Sequence, residues 1–175
     1  MTRGTMTVPI EKISELNIPL QPTTPTVYFT NINDFGEIYT DEFVFETSLR
    51  NDYREGSAAC QQTTIFLICE GTALGIPLCA RGCVSDIELL MTKYTFSGKK
   101  QDLSAFGVDF DKFVNVRIDS QDSVTTVYVN YKPAFQLDKR LTKAKIVGFY
   151  FQFKGSGTVD YVTLKNNKLT VDEQF

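Results

Sequence analysis

Ile146-Val-Gly-Phe-Tyr-Phe-Gln-Phe-Lys154, Gly155-Ser-Gly157 and Thr158-Val-Asp-Tyr-Val-Thr-Leu164 form the most legible stretch of this 175-residue chain. Its first part alternates with the period of a half-buried strand: Val147, Phe149, Phe151 and Phe153 point one way, Gly148, Tyr150, Gln152 and Lys154 the other. Gly155-Ser156-Gly157 is a turn signal. The pattern therefore predicts that residues 158–164 return as the antiparallel partner of residues 146–154.

The same period recurs upstream. In residues 42–50, Phe43, Phe45, Thr47 and Leu49 face inward and Glu42, Glu46, Ser48 and Arg50 outward. Residues 113–118 bury Val114, Val116 and Ile118, and residues 124–130 return as a hairpin partner across the reversal at 119–123. Residues 61–69 are apolar on both faces near their end, as a central strand covered on each side would be. Further strands are expected at 76–79, 86–91 and 93–96, with a turn at residues 97–100. No segment has convincing helical periodicity.

Composition agrees with a sheet protein. Fourteen Phe and eight Tyr within a 42% hydrophobic content can fill one substantial core, and aromatic residues favour strands. The fold class expected is all-β, a two-sheet antiparallel jelly-roll β-sandwich occupying residues 26–165. Residues 1–25, rich in Pro and Thr, are expected to be a linker or edge segment in which 10–16 dock, and 166–175 a frayed tail. The opening residues 1–7 read as the start of an excised domain.

Net charge is −3 with Lys and Arg scattered, so the electrostatic footprint of a nucleic-acid binder is missing. No apolar run approaches a membrane span. Cys60, Cys69, Cys79 and Cys83 are spaced nine, ten and four apart, without the paired knuckles of a zinc site and with no His in the chain. One or two disulfides and buried free thiols both fit this spacing, with a lean towards an oxidising compartment.

The order of these segments resembles the concanavalin A-like, laminin G-like superfamily of lectins and glucanases. The matching succession is Phe43-Val-Phe-Glu-Thr-Ser-Leu-Arg50, Val114-Asn-Val-Arg-Ile118, Val127-Tyr-Val-Asn130, Val147-Gly-Phe-Tyr-Phe151 and Gly157-Thr-Val-Asp-Tyr-Val-Thr-Leu164. The family often has Trp where Phe113 stands and Gly where Tyr131 stands. The run from Phe43 through Cys60 and Gly82-Cys83 to Asp109 also resembles lectin-like terminal domains of bacterial envelope proteins that carry PKD-type modules. The resemblance implies an extracellular or periplasmic module of the cell envelope, with glycans or other envelope proteins as partners.

A sugar site needs an aromatic plate for the apolar face of the ring and polar groups for its hydroxyls. If the outward positions line one concave face, they gather Glu46, Ser48, Arg50, Asn115, Arg117, Tyr128, Tyr150 and Gln152; Tyr39, Tyr53 and Tyr94 offer a rim alternative. The competing reading is an ordinary solvated sheet face in a structural or protein-interaction module. For a glycoside-active enzyme the nearest carboxylate pair is Asp86 and Glu88, two apart on one strand, with Leu90 and Met91 where a third acid would be needed. No hydrolytic triad is present, so the chain reads as non-catalytic. No cofactor is expected beyond a possible structural calcium at Asp160, which matches a closing-strand position in some carbohydrate-binding jelly rolls; Asn31, Asn33, Asp34 and Asp41 enrich an early loop.

Overall fold

The computed structural model describes residues 6–8, 26–52 and 60–174. Among them are strands β1 (Met6–Val8), β2 (Thr26–Ile32), β3 (Glu42–Asn51), β4 (Gln62–Cys69), β5 (Thr72–Ala80), β6 (Glu88–Met91) and β7 (Tyr94–Ser97). They continue as β8 (Gly107–Val108), β9 (Val114–Gln121), β10 (Val124–Val129), β11 (Lys132–Leu137), β12 (Ile146–Lys154), β13 (Gly157–Lys165) and β14 (Thr170–Gln174). Short 3-10 turns at Val84–Asp86 and Ser104–Phe106 are the helical elements described.

The strands form two sheets packed face to face. The first has the order β1-β13-β3-β9-β10-β11, with β14 also on β13; the second has β2-β12-β4-β5-β6-β7, with β8 on β5. Every ladder is antiparallel except the two-residue contact of β5 with β8. The jelly-roll sandwich expected from the alternating pattern is the fold observed. β1 pairs Met6 with Val159 and Val8 with Gly157, while β14 pairs Gln174 with Tyr161 and Thr170 with Lys165. The two terminal strands thus lie end to end along the same edge of β13.

The core fills the space between the sheets, where Phe43, Phe45, Phe149, Phe151 and Phe153 are fully buried. Phe153 meets Phe29 edge-on at 5.4 Å between centroids, and Phe35 stacks on Phe149 at 5.8 Å. Asn51, at the end of β3, is a buried polar exception. Its side-chain Nδ2 lies 3.1 Å from the carbonyls of both Gln62 and Lys154 and 3.2 Å from Thr63 Oγ1, so one amide of the first sheet is stitched to two strands of the second.

Several expectations need correction. β12 and β13 are not paired: β12 lies between β2 and β4, and β13 lies beside β3 in the other sheet. Gly155-Ser156 therefore carries the chain across the sandwich, with Gly155 at φ +95°. A register shift between Ile146 and Gly148 turns Ile146 into the core and leaves Val147 only half-buried. Residues 170–174 are a paired strand, not a frayed tail, because β13 still had a free edge to offer. Residues 6–8 pair with β13, while the expected docking of 10–16 lies outside the described residues. β11, which follows the turn at Asn130 and Tyr131, carries no alternation the sequence would reveal. No helix among the described residues is long and apolar enough to cross a membrane.

Candidate functional site

The eight outward residues do not share one face. Glu46, Ser48 and Arg50 on β3, Asn115 and Arg117 on β9 and Tyr128 on β10 belong to the first sheet, whereas Tyr150 and Gln152 sit on β12 of the second. Inward and outward positions were legible, but the strand pairing was not. The two outer surfaces consequently present two separate cavities.

On the second sheet, pairing aligns Thr30, Tyr150, Phe66, Gly75, Leu90 and Thr95 in one row across β2, β12, β4, β5, β6 and β7. Phe66 and Tyr150 stack with centroids 4.4 Å apart and planes 17° from parallel, and Tyr28 extends the series 6.3 Å beyond Tyr150. Gly75 makes room for the Phe66 ring: a β-carbon there would stand 2.9 Å from Phe66 Cε1. Beyond Phe66 opens a groove of about 510 Å³ lined by Gln62, Thr64, Pro77, Glu88, Leu90, Ser97 and Lys99, among others. Gln152 is the cross-strand neighbour of both Thr64 and Tyr28 beside it. Burial raises the Tyr150 phenol above its ordinary pKa, with Tyr28 adding to the effect.

The depth of this groove follows from local sequence. The β5–β6 ladder ends at Gly75 and Leu90, and Pro77, two residues on, has no N–H to extend it. The chain before β6 instead forms the 3-10 turn at Val84–Asp86, a groove wall held to the fold by the Cys60–Cys83 disulfide. Gly98 packs directly against that turn, since a β-carbon there would lie 1.9 Å from the Val84 carbonyl oxygen. Asp86 ends the turn and Glu88 begins β6, so the pair is not two positions of one strand. Both carboxylates lie exposed on the groove.

The remaining cysteines, Cys69 and Cys79, are free and buried. Desolvation pushes their thiols up to about 12 and about 11, respectively, with Asp86 contributing at Cys79. The sequence had left one disulfide, two disulfides and free thiols open; the arrangement is one bridge and two thiols. Since the thiolate is the reactive species, neither should be modified by a thiol reagent at pH 8 in the native state, and two per chain should react on denaturation without reductant. Rapid native labelling followed by mass mapping to either residue would contradict this arrangement.

On the first sheet, Arg117 is held in a fork. Its Nη1 donates to Glu46 Oε1 at 2.5 Å and its Nη2 to Asp119 Oδ2 at 2.6 Å. The hydrogen bond to Asp119 foremost, and that to Glu46 behind it, raise the guanidinium pKa, while burial opposes them. Together with Asn115, Val116, Tyr128, Tyr131 and Tyr161, this pair surrounds a depression of about 240 Å³. Arg50 stands apart, pairing with Asp52 at 2.6 Å and lying over the Phe113 ring.

The rim alternative does not assemble. Tyr39 donates to the Glu37 carboxylate and has Lys143 over its ring, Tyr94 lies between Lys93 and Lys139, and Tyr53 is outside the described residues. Asp160 sits at a register shift of β13, between Val159 and Tyr161. In the early loop, Asp34 accepts from the Gly36 N–H and pairs with Lys145, and Asp41 pairs with Lys143. Among the described residues no three His, Cys, Asp or Glu side chains cluster as a metal site would require, so calcium at Asp160 would depend on carbonyl or amide oxygens.

Reasoning on the sequence missed Phe66, Tyr28, Tyr131 and Tyr161. Phe66 was hidden by its apolar neighbours Ile65, Leu67 and Ile68, which made the strand look covered on both sides. Tyr131 did leave a signal, an aromatic residue directly after a hairpin Asn.

No protein-family model matches the sequence, and no curated protein matches it. Among solved structures, carbohydrate-binding module CBM66 from Bacillus subtilis superimposes with a TM-score of 0.51 at 8% identity, covering 82% of this chain and 97% of that one. A tetrameric galectin from the ball sponge Cinachyrella sp. gives 0.48 at 11% identity over 80% of this chain and 99% of its own. A glycosyl hydrolase family protein from Mycobacterium fortuitum gives 0.45 at 11% identity over 80% and 68%. The first of these similarities is one of fold, and the chain is a two-sheet jelly-roll sandwich.

Proposed function

We propose that this chain is a non-catalytic carbohydrate-binding module that takes its glycan along the groove of the second sheet. The observation that carries the reading is the ring series Tyr28, Tyr150 and Phe66 beside an open groove with amide, hydroxyl and charged groups. Such rings cover the apolar face of a sugar, while Gln62, Thr64, Gln152, Glu88 and Lys99 supply the donors and acceptors its hydroxyls need. The fold shared with a carbohydrate-binding module accommodates this use of a sheet face. The Cys60–Cys83 bridge favours an oxidising compartment, and we place the module in the extracellular or periplasmic space, within a bacterial cell-envelope or secreted protein.

Affinity electrophoresis and calorimetry against neutral and acidic polysaccharides test the proposal. Phe66→Ala and Tyr150→Ala should each weaken binding at least tenfold, about 1.4 kcal/mol or more, with melting curves close to the parent. Prolonged incubation should release no reducing ends. Absence of binding throughout the panel, or undiminished binding by Phe66→Ala, would overturn it.

The competing protein-interaction reading has one observation in its favour. Tyr28 and Ile32, 57% and 67% exposed, face outward on the edge strand β2. That reading requires Ile32→Ser to abolish a measured association while leaving polysaccharide binding intact.

A further inference from the structure

We infer that the outer face of the first sheet carries a second, smaller saccharide site, fitted to a single pyranose ring. This site stands on the opposite sheet from the groove and does not depend on it. Its depression, about 240 Å³, is smaller than the roughly 300–1,000 Å³ of pockets that enclose drug-sized ligands, which restricts it to one ring.

Strand register builds the site. Tyr161, Ser48 and Asn115 form one row across β13, β3 and β9; Glu46, Arg117 and Tyr128 form the next across β3, β9 and β10. Ser48 faces outward by register yet is only 5% exposed, so the floor is closed. Asn130 and Tyr131 make the two-residue turn between β10 and β11, both with positive φ, at 48° and 66°. That turn is fastened to β9: Asn130 N–H donates to the Asn115 carbonyl at 2.8 Å, and Asn115 N–H donates to Asn130 Oδ1 at 3.1 Å. Tyr131 is thereby held on the rim of the depression.

Tyr131 is the outlier that points to a ligand. Its β-carbon is crowded in left-handed backbone, where a hairpin ordinarily uses Gly, and at 82% exposure its ring gains almost no burial in the fold. A bulky ring kept in such a conformation has its use outside the folded core.

The polar groups select the chemistry. Arg117 spends one N–H on Glu46 and one on Asp119, keeping three of its five donors, and the second oxygen of Glu46 remains an acceptor. An anion would meet the Glu46 and Asp119 carboxylates, and a cation would meet Arg117. A neutral ring whose hydroxyls both donate and accept satisfies both sides of the ion pair, with its apolar face on Tyr128 or Tyr131.

Amide chemical-shift mapping of the full chain, titrated with glucose, galactose, mannose, fucose and N-acetylglucosamine at millimolar concentrations, tests the site. At least one sugar should move the amides of Asn115, Arg117 and residues 128–131. Tyr131→Gly should abolish those shifts while its melting temperature stays the same or rises, because Gly accepts the turn conformation; Tyr131→Asn serves as a second variant tolerant of left-handed backbone. If no sugar moves these amides, or if the folded variants bind as the parent does, the second site is wrong. Shifts confined to Phe66, Gly75 and Leu90 would overturn it while leaving the groove intact. Shifts confined to Asn115 and residues 128–131 would uphold it without the groove.

Discussion

Gly157→Ala is expected to cost about 3 kcal/mol or more of folding stability, towards or beyond the upper end of ordinary overpacking. The new β-carbon would lie 2.1 Å from both Cδ1 and Cε1 of Phe153 and 2.6 Å from its Cγ, deep inside contact distance. The Phe153 ring has little space to yield, because it is fully buried, edge-on to Phe29 and stacked near Phe151. Against the 5–15 kcal/mol typical of a domain, such a loss is large. Urea denaturation should show a strongly lowered midpoint, and adding Phe153→Leu should restore part of it, since the two sites are directly coupled. A midpoint equal to the parent would mean that the strand exchange at Gly155-Ser156 is not packed as described.

Asn51→Asp has the second large effect and carries a pH signature. The substitution keeps the shape but replaces an NH2 donor with an oxygen facing the Gln62 and Lys154 carbonyls. Losing those side-chain hydrogen bonds and placing a charge among the carbonyls should cost about 3–5 kcal/mol at neutral pH. The folded state would hold this carboxyl protonated to higher pH than the unfolded chain, whose Asp titrates near about 3.9. Below that value both states are protonated and the electrostatic part of the deficit vanishes. Above it the unfolded state ionises first, so stability falls as pH rises until the folded-state pKa is passed. Denaturation of parent and variant at pH 3 and pH 7 measures the difference; a deficit independent of pH would show that residue 51 is not enclosed by carbonyls.

These two positions also show what could be read before the structure. Alternation along residues 42–50 and 113–118 revealed which side chains enter the core, because one face of each strand is dry and the other wet. It could not reveal partners, since inward positions of either sheet carry the same apolar residues. Gly155-Ser156-Gly157 resembles a hairpin loop, and only packing against Phe153 distinguishes a passage between sheets. The expectation that the outward positions line one concave face placed Tyr150 and Gln152 beside Arg117. The groove of the second sheet escaped notice because its main ring, Phe66, borrows its outward position from an apolar run and its space from Gly75 on the neighbouring strand. β14 went unseen because its Asp172 and Glu173 look like tail residues, although Thr163 Oγ1 hydrogen-bonds Asp172 across the ladder at 2.8 Å.

The end-to-end placement of β1 and β14 has a mechanical meaning. Gln174 lies opposite Tyr161 and Met6 opposite Val159, so the polypeptide comes into the sandwich and goes out of it at nearly the same point. Tension applied through those two strands would first load their edge ladders with β13, at Val159 and Tyr161. The inner ladders of the two sheets would carry load only after those edge pairs had opened.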